Sequence, residues 1–132
     1  MNEKYSGKER RRFKRVKINF TVFYRVNSPL AVHMRFGNRD IDALALDISE
    51  GGMAVLTDYD VPALSIVTVR FIMMLDDNAI SAESLTRSIE VKGEVRYNIL
   101  MEKEKAYRLG IQFIGLSDAD RNFIANFVKT QG

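Results

Sequence analysis

Four arginines near the start of the chain have the chemistry of an anion-binding site: Arg10, Arg11, Arg12 and Arg15. Arg11 and Arg15 are four residues apart, so they project to the same side of an extended chain at about 13 Å, or share one face of a helical turn at about 6 Å. Each guanidinium can donate two parallel hydrogen bonds to a phosphate or to the O6/N7 edge of guanine. Either geometry presents two guanidinium groups to one ligand.

A second candidate is the segment 47–52, with the sequence DISEGG, which the pattern places at the end of a strand. In a structural reading, Asp47 and Ser49 bond the backbone of a tight turn, and the glycines permit its shape. In a functional reading, both side chains face outward, where the carboxylate accepts from a base N–H and the hydroxyl bridges to the ligand. Gly52 then lets a ligand approach the backbone closely. The segment taken alone is compatible with both readings.

No other group of residues in the sequence is typical of catalysis or metal binding. The chain has no cysteine and a single histidine, His33, which excludes thiolate metal sites, cysteine nucleophiles and paired histidines. It has no Gly-x-Ser-x-Gly elbow, no phosphate-binding loop and no Gly-x-Gly-x-x-Gly. By elimination the sequence predicts a binding module rather than an enzyme, with no catalytic residue and no metal or other cofactor.

The net charge of +3 is unevenly distributed. Residues 1–17 hold eight Lys/Arg against two Glu, a net of +6, and residues 18–132 hold twelve Lys/Arg against fifteen Asp/Glu, a net of −3. A basic arm attracts polyanions such as nucleic acid, anionic lipid or a nucleotide, but it can also be a solvated tail that only aids solubility. No apolar run approaches the roughly 18 residues of a membrane span, and the start lacks a secretory signal, so we expect a cytoplasmic protein.

The elements that position these residues follow from hydrophobic periodicity. Residues 1–9 are predicted to be a flexible basic arm, and residues 10–132 a single domain, because the length suits one core. Six strands are predicted, at 16–24, 41–48, 53–56, 66–74, 89–100 and 106–114. The first two follow from period-2 alternation, the third from the spacing of a tight hairpin, and the fourth from an apolar run rich in β-branched residues. Residues 31–36 are predicted to form one further short strand.

A helix is predicted at the C terminus. Ser117 can cap it, and the apolar residues at helical spacing are Phe123, Ile124, Phe127 and Val128. The predicted fold class is all-β: a small antiparallel barrel of six strands with a C-terminal α-helix that covers one opening or edge. Met73, Met74 and the aromatic residues fall on strand positions, where packing in the core is the expectation.

Taken together, the two candidate segments resemble the signature motifs of the PilZ domain family. Arg11-x-x-x-Arg15 enters the first strand, and Asp47-x-Ser49-x-x-Gly52 follows about thirty residues later. The run RLGIQFI at 108–114 resembles the family's last barrel strand, and the apolar C-terminal helix resembles its final helix. The resemblance covers roughly residues 9–130 and implies the six-stranded antiparallel barrel of that family.

The resemblance also implies a ligand, because PilZ domains are bacterial receptors for the second messenger cyclic di-GMP. It implies that Arg11 and Arg15 clamp guanine edges and phosphates. It also implies that Asp47 and Ser49 hydrogen-bond one guanine, and that Gly52 supplies the close backbone approach.

The resemblance further implies a role in signalling. Arg10 precedes the first motif, where the family's residue can influence whether one nucleotide or a stacked pair binds, and an arginine favours the pair. The expected receptor acts in trans: the nucleotide draws the arm onto the barrel, the arm becomes ordered, and the new surface meets an unidentified protein partner. Residues 27–40 and 76–88 are the candidate surfaces for that partner, because loops carry variable function.

Two other functions stay open at the level of sequence. A general nucleic-acid or anionic-surface binder acting through the basic arm would lose affinity steeply with salt and would not depend on Asp47 or Ser49. A PilZ-like scaffold would contact proteins without binding a nucleotide. Both motifs are intact, and few aromatic residues are interleaved with the basic run, so we expect cyclic di-GMP as the ligand and no nucleic acid.

Overall fold

The computed structural model describes residues 16–74 and 86–131 of the chain. In order, the elements of this part are β1 (Val16–Ser28), α1 (Leu30–Phe36), β2 (Ile41–Ser49), β3 (Gly52–Thr57), β4 (Ile66–Met74), β5 (Thr86–Met101), β6 (Ala106–Ile114) and α2 (Asp118–Gln131). The strands form a closed antiparallel barrel in the order β1-β2-β3-β6-β5-β4. The predicted all-β class, a six-stranded antiparallel barrel with a C-terminal helix, is confirmed.

Strand β1 closes the barrel by pairing with β2 along one edge and with β4 along the other. Its alternate residues point into the core, and Val22, Tyr24 and Val26 are buried. Closure leaves no unpaired edge, so every strand of the barrel has a hydrogen-bonded neighbour on both sides. The inward-facing residues of all six strands therefore share one continuous core.

The first residues of β1 lie beside the last residues of β2. Val16 pairs with Ile48, and Lys17 pairs with Asp47. A bulge between Lys17 and Phe20 then shifts the register of the two strands. The described chain therefore begins next to the turn that joins β2 to β3.

The outward face of β4 carries large apolar side chains. Met73 is buried as expected, but Ile72 and Met74 are exposed, because successive residues of a strand point to opposite faces of the sheet. The expectation that both methionines pack in the core is therefore wrong for Met74.

The segment predicted as a further short strand, residues 31–36, is instead the helix α1. Val32 and Phe36, four residues apart, are buried on one face of this helix. The helix ends at Gly37, whose φ of 71° is readily adopted by glycine and whose N–H donates to the His33 carbonyl at 2.7 Å. A short apolar run fits a strand or a helical turn equally well, so periodicity alone cannot separate the two. The segment is helical in the structure, where Val32 and Phe36 on one face join the core of the barrel.

Helix α2 begins where the sequence predicts. The Ser117 hydroxyl accepts a hydrogen bond from the Asp120 N–H at 3.1 Å, which is the geometry of an N-terminal cap. Ile124, Phe127 and Val128 are buried along one face, and Phe123 packs against the core partly exposed. Within the described ranges, no helix has both the length and the apolar character needed to cross a bilayer.

A buried hydrogen bond inside the barrel joins β1 to β3, the two strands on either side of β2. The hydroxyl groups of Tyr24 on β1 and Thr57 on β3 lie 2.7 Å apart, and both residues are buried. Burial raises the pKa of Tyr24 from 10.0 to about 12, although the hydrogen bond with Thr57 acts in the opposite direction. The folded state therefore favours the neutral, protonated form of the Tyr24 phenol.

Replacing Tyr24 by phenylalanine should change how stability depends on alkaline pH. The pKa of Tyr24 is about 12 in the folded state, and we take the ordinary value of 10.0 for the unfolded state. The contribution of the neutral phenol to the free energy of unfolding is therefore complete below about pH 10 and is lost as the pH rises towards 12. Tyr24→Phe should unfold more easily near pH 7 by about 1 kcal/mol, since Thr57 loses its partner. When the pH is raised from about 7 to about 11, the free energy of unfolding of Tyr24→Phe should fall by about 1 kcal/mol less than that of the parent chain. Urea unfolding followed by circular dichroism at each pH measures both differences. If the free energy of unfolding falls equally in the two proteins as the pH rises, the raised pKa of Tyr24 is contradicted.

Candidate ligand-binding site

The DISEGG segment forms a tight hairpin between β2 and β3. Ser49, the last residue of β2, pairs with Gly52, the first residue of β3. The Ser49 hydroxyl accepts a hydrogen bond from the Gly51 N–H at 3.1 Å and is buried, at 2% exposure. Ser49 thus bonds the turn backbone as the structural reading predicts, whereas the functional reading has its side chain exposed.

Gly52 lies directly against the backbone of β6. A Cβ atom added there would overlap the carbonyl oxygen of Ile111 and come within 3.1 Å of the Gln112 Cα. The Phe113 N–H donates to the Gly51 carbonyl at 2.9 Å beside it. The missing side chain of Gly52 is therefore required by the pairing of the two strands themselves.

Asp47 lies near the end of β2 and forms an ion pair with Arg108 of β6. The Arg108 Nη2 donates to Asp47 Oδ2 at 3.2 Å, and the side chains are 31% and 14% exposed. The Nε of Arg108 also donates to the hydroxyl of Tyr97 on β5 at 3.4 Å. The hydrogen bond with Tyr97 and the charge of Asp47 raise the pKa of Arg108 above its ordinary value, against the burial that lowers it. A fixed positive charge therefore stands beside the candidate carboxylate.

The contacts of Arg108 with Asp47 and with Tyr97 are not revealed by the sequence. Arg108 enters the sequence argument only as part of the last strand, and Tyr97 only as an aromatic residue expected in the core. Arg108 lies 61 residues from Asp47, so no local spacing indicates the contact. The barrel register produces it, because Asp47 pairs with Ala54, Ala54 pairs with Gly110, and Gly110 stands two residues from Arg108 on the same face.

The structure brings together the three candidate residues of the turn, Asp47, Ser49 and Gly52. The arginine candidates Arg10, Arg11 and Arg15 lie outside the described residues, as do the predicted arm at 1–9 and most of the polar segment 76–88. Arg15 is nevertheless bonded to Val16, which pairs with Ile48 between Asp47 and Ser49. In the described part of the chain, no group of three or more His, Cys, Asp or Glu side chains is arranged to hold a metal ion.

Comparisons with known proteins point to one family. A family model described as PilZ domain matches residues 9–130. A comparison with curated protein sequences finds no match. Among solved structures, the Bacillus subtilis inhibitor of motility (MotI/DgrA) aligns with a TM-score of 0.67 and 17% identity, over 91% of this chain and 50% of that one.

Two further similar structures are complexes with cyclic di-GMP. The PilZ domain of YcgR from Escherichia coli with c-di-GMP aligns with a TM-score of 0.54 and 13% identity, over 92% of this chain and 91% of that one. The K. pneumonia MrkH–c-di-GMP complex aligns with a TM-score of 0.58 and 15% identity, over 90% of this chain and 51% of that one. The chain therefore spans about half the length of MotI/DgrA and of MrkH. At these identities the likeness shows a shared fold.

Replacing Gly52 by alanine should destabilise the barrel. The added methyl group cannot avoid the Ile111 carbonyl unless β3 and β6 separate, so we expect a loss of about 1–3 kcal/mol in the free energy of unfolding. Gly93→Ala is the comparison, because its methyl group first meets the Ile111 side chain rather than a backbone atom and should cost less. Urea unfolding of both variants tests this, and an unchanged midpoint for Gly52→Ala would show that the strands separate without cost.

Proposed function

The chain belongs to the PilZ domain family, and from this premise we propose that it is a bacterial receptor for cyclic di-GMP. The observation that supports the proposal is the pairing of Val16 with Ile48. This pairing sets the residue that follows the Arg11-x-x-x-Arg15 motif beside the Asp47-x-Ser49-x-x-Gly52 turn. The residue that follows the first motif and the turn that holds the second thus lie side by side at one end of the β1–β2 pair.

The chemistry of the converging residues suits a dianionic guanine dinucleotide. The guanidinium groups of Arg11 and Arg15 would donate to phosphate oxygens or to the O6/N7 edge of a guanine. The carboxylate of Asp47 would accept from the N–H groups of the same base, and Arg108 holds that carboxylate in place. Ser49 and Gly52 would contribute by fixing the turn on which Asp47 stands.

We further propose that binding orders residues 1–15, which are the basic arm together with the arginine motif, against the barrel, and that this event signals to a protein partner in the cytoplasm. Residues 1–15 carry seven of the chain's twenty Lys/Arg residues against two Glu, so their charges repel one another until an anion neutralises them. Hydrogen exchange measured with and without cyclic di-GMP should show protection gained in the arm. The function requires binding only and no catalytic step.

Isothermal titration calorimetry of the full chain tests the receptor proposal directly. Cyclic di-GMP is the ligand, and GTP and cyclic di-AMP are the controls. We expect selective binding of cyclic di-GMP, with two nucleotides per chain because Arg10 precedes the motif. An absence of binding would contradict the proposal and favour a PilZ-like scaffold that works by protein contact alone.

Arg11→Ala and Arg15→Ala should each weaken cyclic di-GMP binding about tenfold to a hundredfold or more. Each replacement removes charge-assisted hydrogen bonds, each of which contributes roughly 1.5–3 kcal/mol. Arg12→Ala is the matched control, since it removes the same charge from the same segment outside the motif. Normal binding by both motif variants in calorimetry would show that the arginine clamp does not exist. An equal loss in the control would indicate a non-specific basic arm.

Asp47→Ala should weaken cyclic di-GMP binding at least tenfold, because a carboxylate acceptor for the guanine N–H groups is lost. The variant should stay folded, which circular dichroism verifies, because its ion pair with Arg108 is only partly buried. Binding of single-stranded DNA at low salt serves as the control, since a basic arm that attracts polyanions is indifferent to Asp47. If Asp47→Ala unfolds the chain, the carboxylate serves the turn rather than the ligand.

A further inference from the structure

A stripe of apolar side chains lies on the outer wall of the barrel along β4. Ile72 and Met74 are 62% and 66% exposed, and Phe23 of the neighbouring strand β1 is 39% exposed. Phe23 and Ile72 line one surface groove, together with Thr21 of β1 and Ser88 of β5. Scattered exposed apolar residues are ordinary on a protein surface, whereas neighbours that form one patch are typical of an interaction site.

A group of positive charge lies on the β1 side of this stripe. Arg70, two residues before Ile72 on the same face of β4, turns its guanidinium towards β1. Its Cζ lies 5.5 Å from the centroid of the Phe23 ring, and its Nη2 donates to Asp40 Oδ2 at 2.7 Å. Asp40 also accepts from Arg25 of β1 at 3.4 Å. Because two arginines share one carboxylate, this cluster keeps a net positive charge.

A carboxylate lies on the β5 side of the stripe. Glu90 of β5 stands opposite Arg70 in the β4–β5 pairing, and both side chains are exposed on the outer face. Arg70 leans towards β1 instead, so the two charges stay apart. Within the described ranges, Glu90 forms no hydrogen bond or ion pair. The β4 face, made of Phe23, Arg70, Ile72, Met74 and Glu90, therefore has an apolar centre between a cation and a free anion.

The β4 face is complementary to a second copy of itself. Across a two-fold axis that runs along β4, the β1 side of one copy would lie over the β5 side of the other. Ile72 and Met74 would then pack against the same residues of the second copy. Each Arg70 guanidinium, which leans off the axis, would lie over the Glu90 of the other copy. Since the closed barrel offers no edge for strand pairing, the contact would be face to face.

We propose that two copies of this chain associate through the β4 face. The strand order places β3 third and β4 sixth in a closed barrel of six strands, so these two strands stand on opposite walls. The turn with Gly52 precedes β3. A second copy on β4 therefore leaves the candidate ligand-binding site uncovered, and the association depends neither on cyclic di-GMP nor on the proposed function.

The size of the β4 face sets the strength of the association. Strand β4 has nine residues. The face is therefore about 30 Å long and, over three strands, about 14 Å wide, which gives about 400 Å². A standard stable interface buries about 800 Å² per partner. We therefore expect a transient dimer with a dissociation constant of about 10–500 µM.

Sedimentation equilibrium of the full chain, without nucleotide, between about 10 and 500 µM measures the association. The mean mass should rise with concentration from the 15.1 kDa of one chain towards twice that value. Ile72→Glu should stay monomeric, because it brings two carboxylates together on the axis. Met34→Glu on α1 is the matched control, since it adds the same charge at a similarly exposed site (72%) and should associate like the parent chain. Circular dichroism verifies that both variants are folded.

Charge reversal tests the reciprocal pairing of Arg70 with Glu90. Arg70→Glu and Glu90→Arg should each associate about fivefold or more weakly than the parent chain, because each brings like charges together. Mixed in equal amounts, the two variants should associate at least as tightly as the parent, since every glutamate then faces an arginine. Glu104→Arg, at the β5–β6 turn, makes the same change of net charge and should associate like the parent.

Three results would overturn the proposal. The first is a parent chain that stays monomeric over the whole range. A simultaneous loss of stability in Ile72→Glu would then indicate that residues 75–85, which connect β4 to β5, cover the stripe. The second is a dimer that persists in Ile72→Glu, because its interface must lie elsewhere. The third is a mixture of Arg70→Glu and Glu90→Arg that associates no better than either variant alone. Calorimetry tests the receptor proposal separately, so the two proposals can fail independently.

Discussion

Closure of the barrel through β1 is the constraint on which the candidate site depends. Because β1 pairs with β2 on one side and β4 on the other, its register cannot slip by one residue without moving Val22, Tyr24 and Val26 from the core to the surface. The same register sets Lys17 opposite Asp47. The core therefore determines where the chain after the arginine motif meets the DISEGG turn.

The turn residues serve the barrel first. Ser49 is buried and bonds the Gly51 N–H, and Gly52 has no room for a side chain beside Ile111. These structural roles do not compete with a role in binding, because a carboxylate can be presented accurately only from a turn that is itself rigid. The structural and functional readings of the segment are therefore compatible: Ser49 and Gly52 shape the turn, and Asp47 is the residue that we propose contacts the ligand.

The parts of the molecule that the sequence predicts well are those governed by local physics. Strand β2 follows from period-2 alternation, β4 from an apolar run rich in β-branched residues, and α2 from the Ser117 cap and an apolar stripe. Helix α1 escapes this reasoning, since seven residues are too few to distinguish a helical period from an alternating one. Arg108 and Tyr97 escape it for a different reason. Their contacts depend on register across several strands and on a bulge that reverses the expected side of Tyr97.

Electrostatics explains why a carboxylate can stand in a site proposed for an anion. Asp47 alone would repel a phosphodiester, but Arg108 at 3.2 Å offsets its charge, and a carboxylate, with about four lone-pair sites, can accept from more than one N–H group. Such a neutralised acceptor distinguishes bases by their donors. Guanine offers N–H groups at two adjacent positions of its Watson–Crick edge, whereas adenine offers a donor at one position and an acceptor beside it. The acceptor nitrogen of adenine would face the carboxylate without a hydrogen bond, so in the proposed receptor the Asp47–Arg108 pair would favour guanine over adenine.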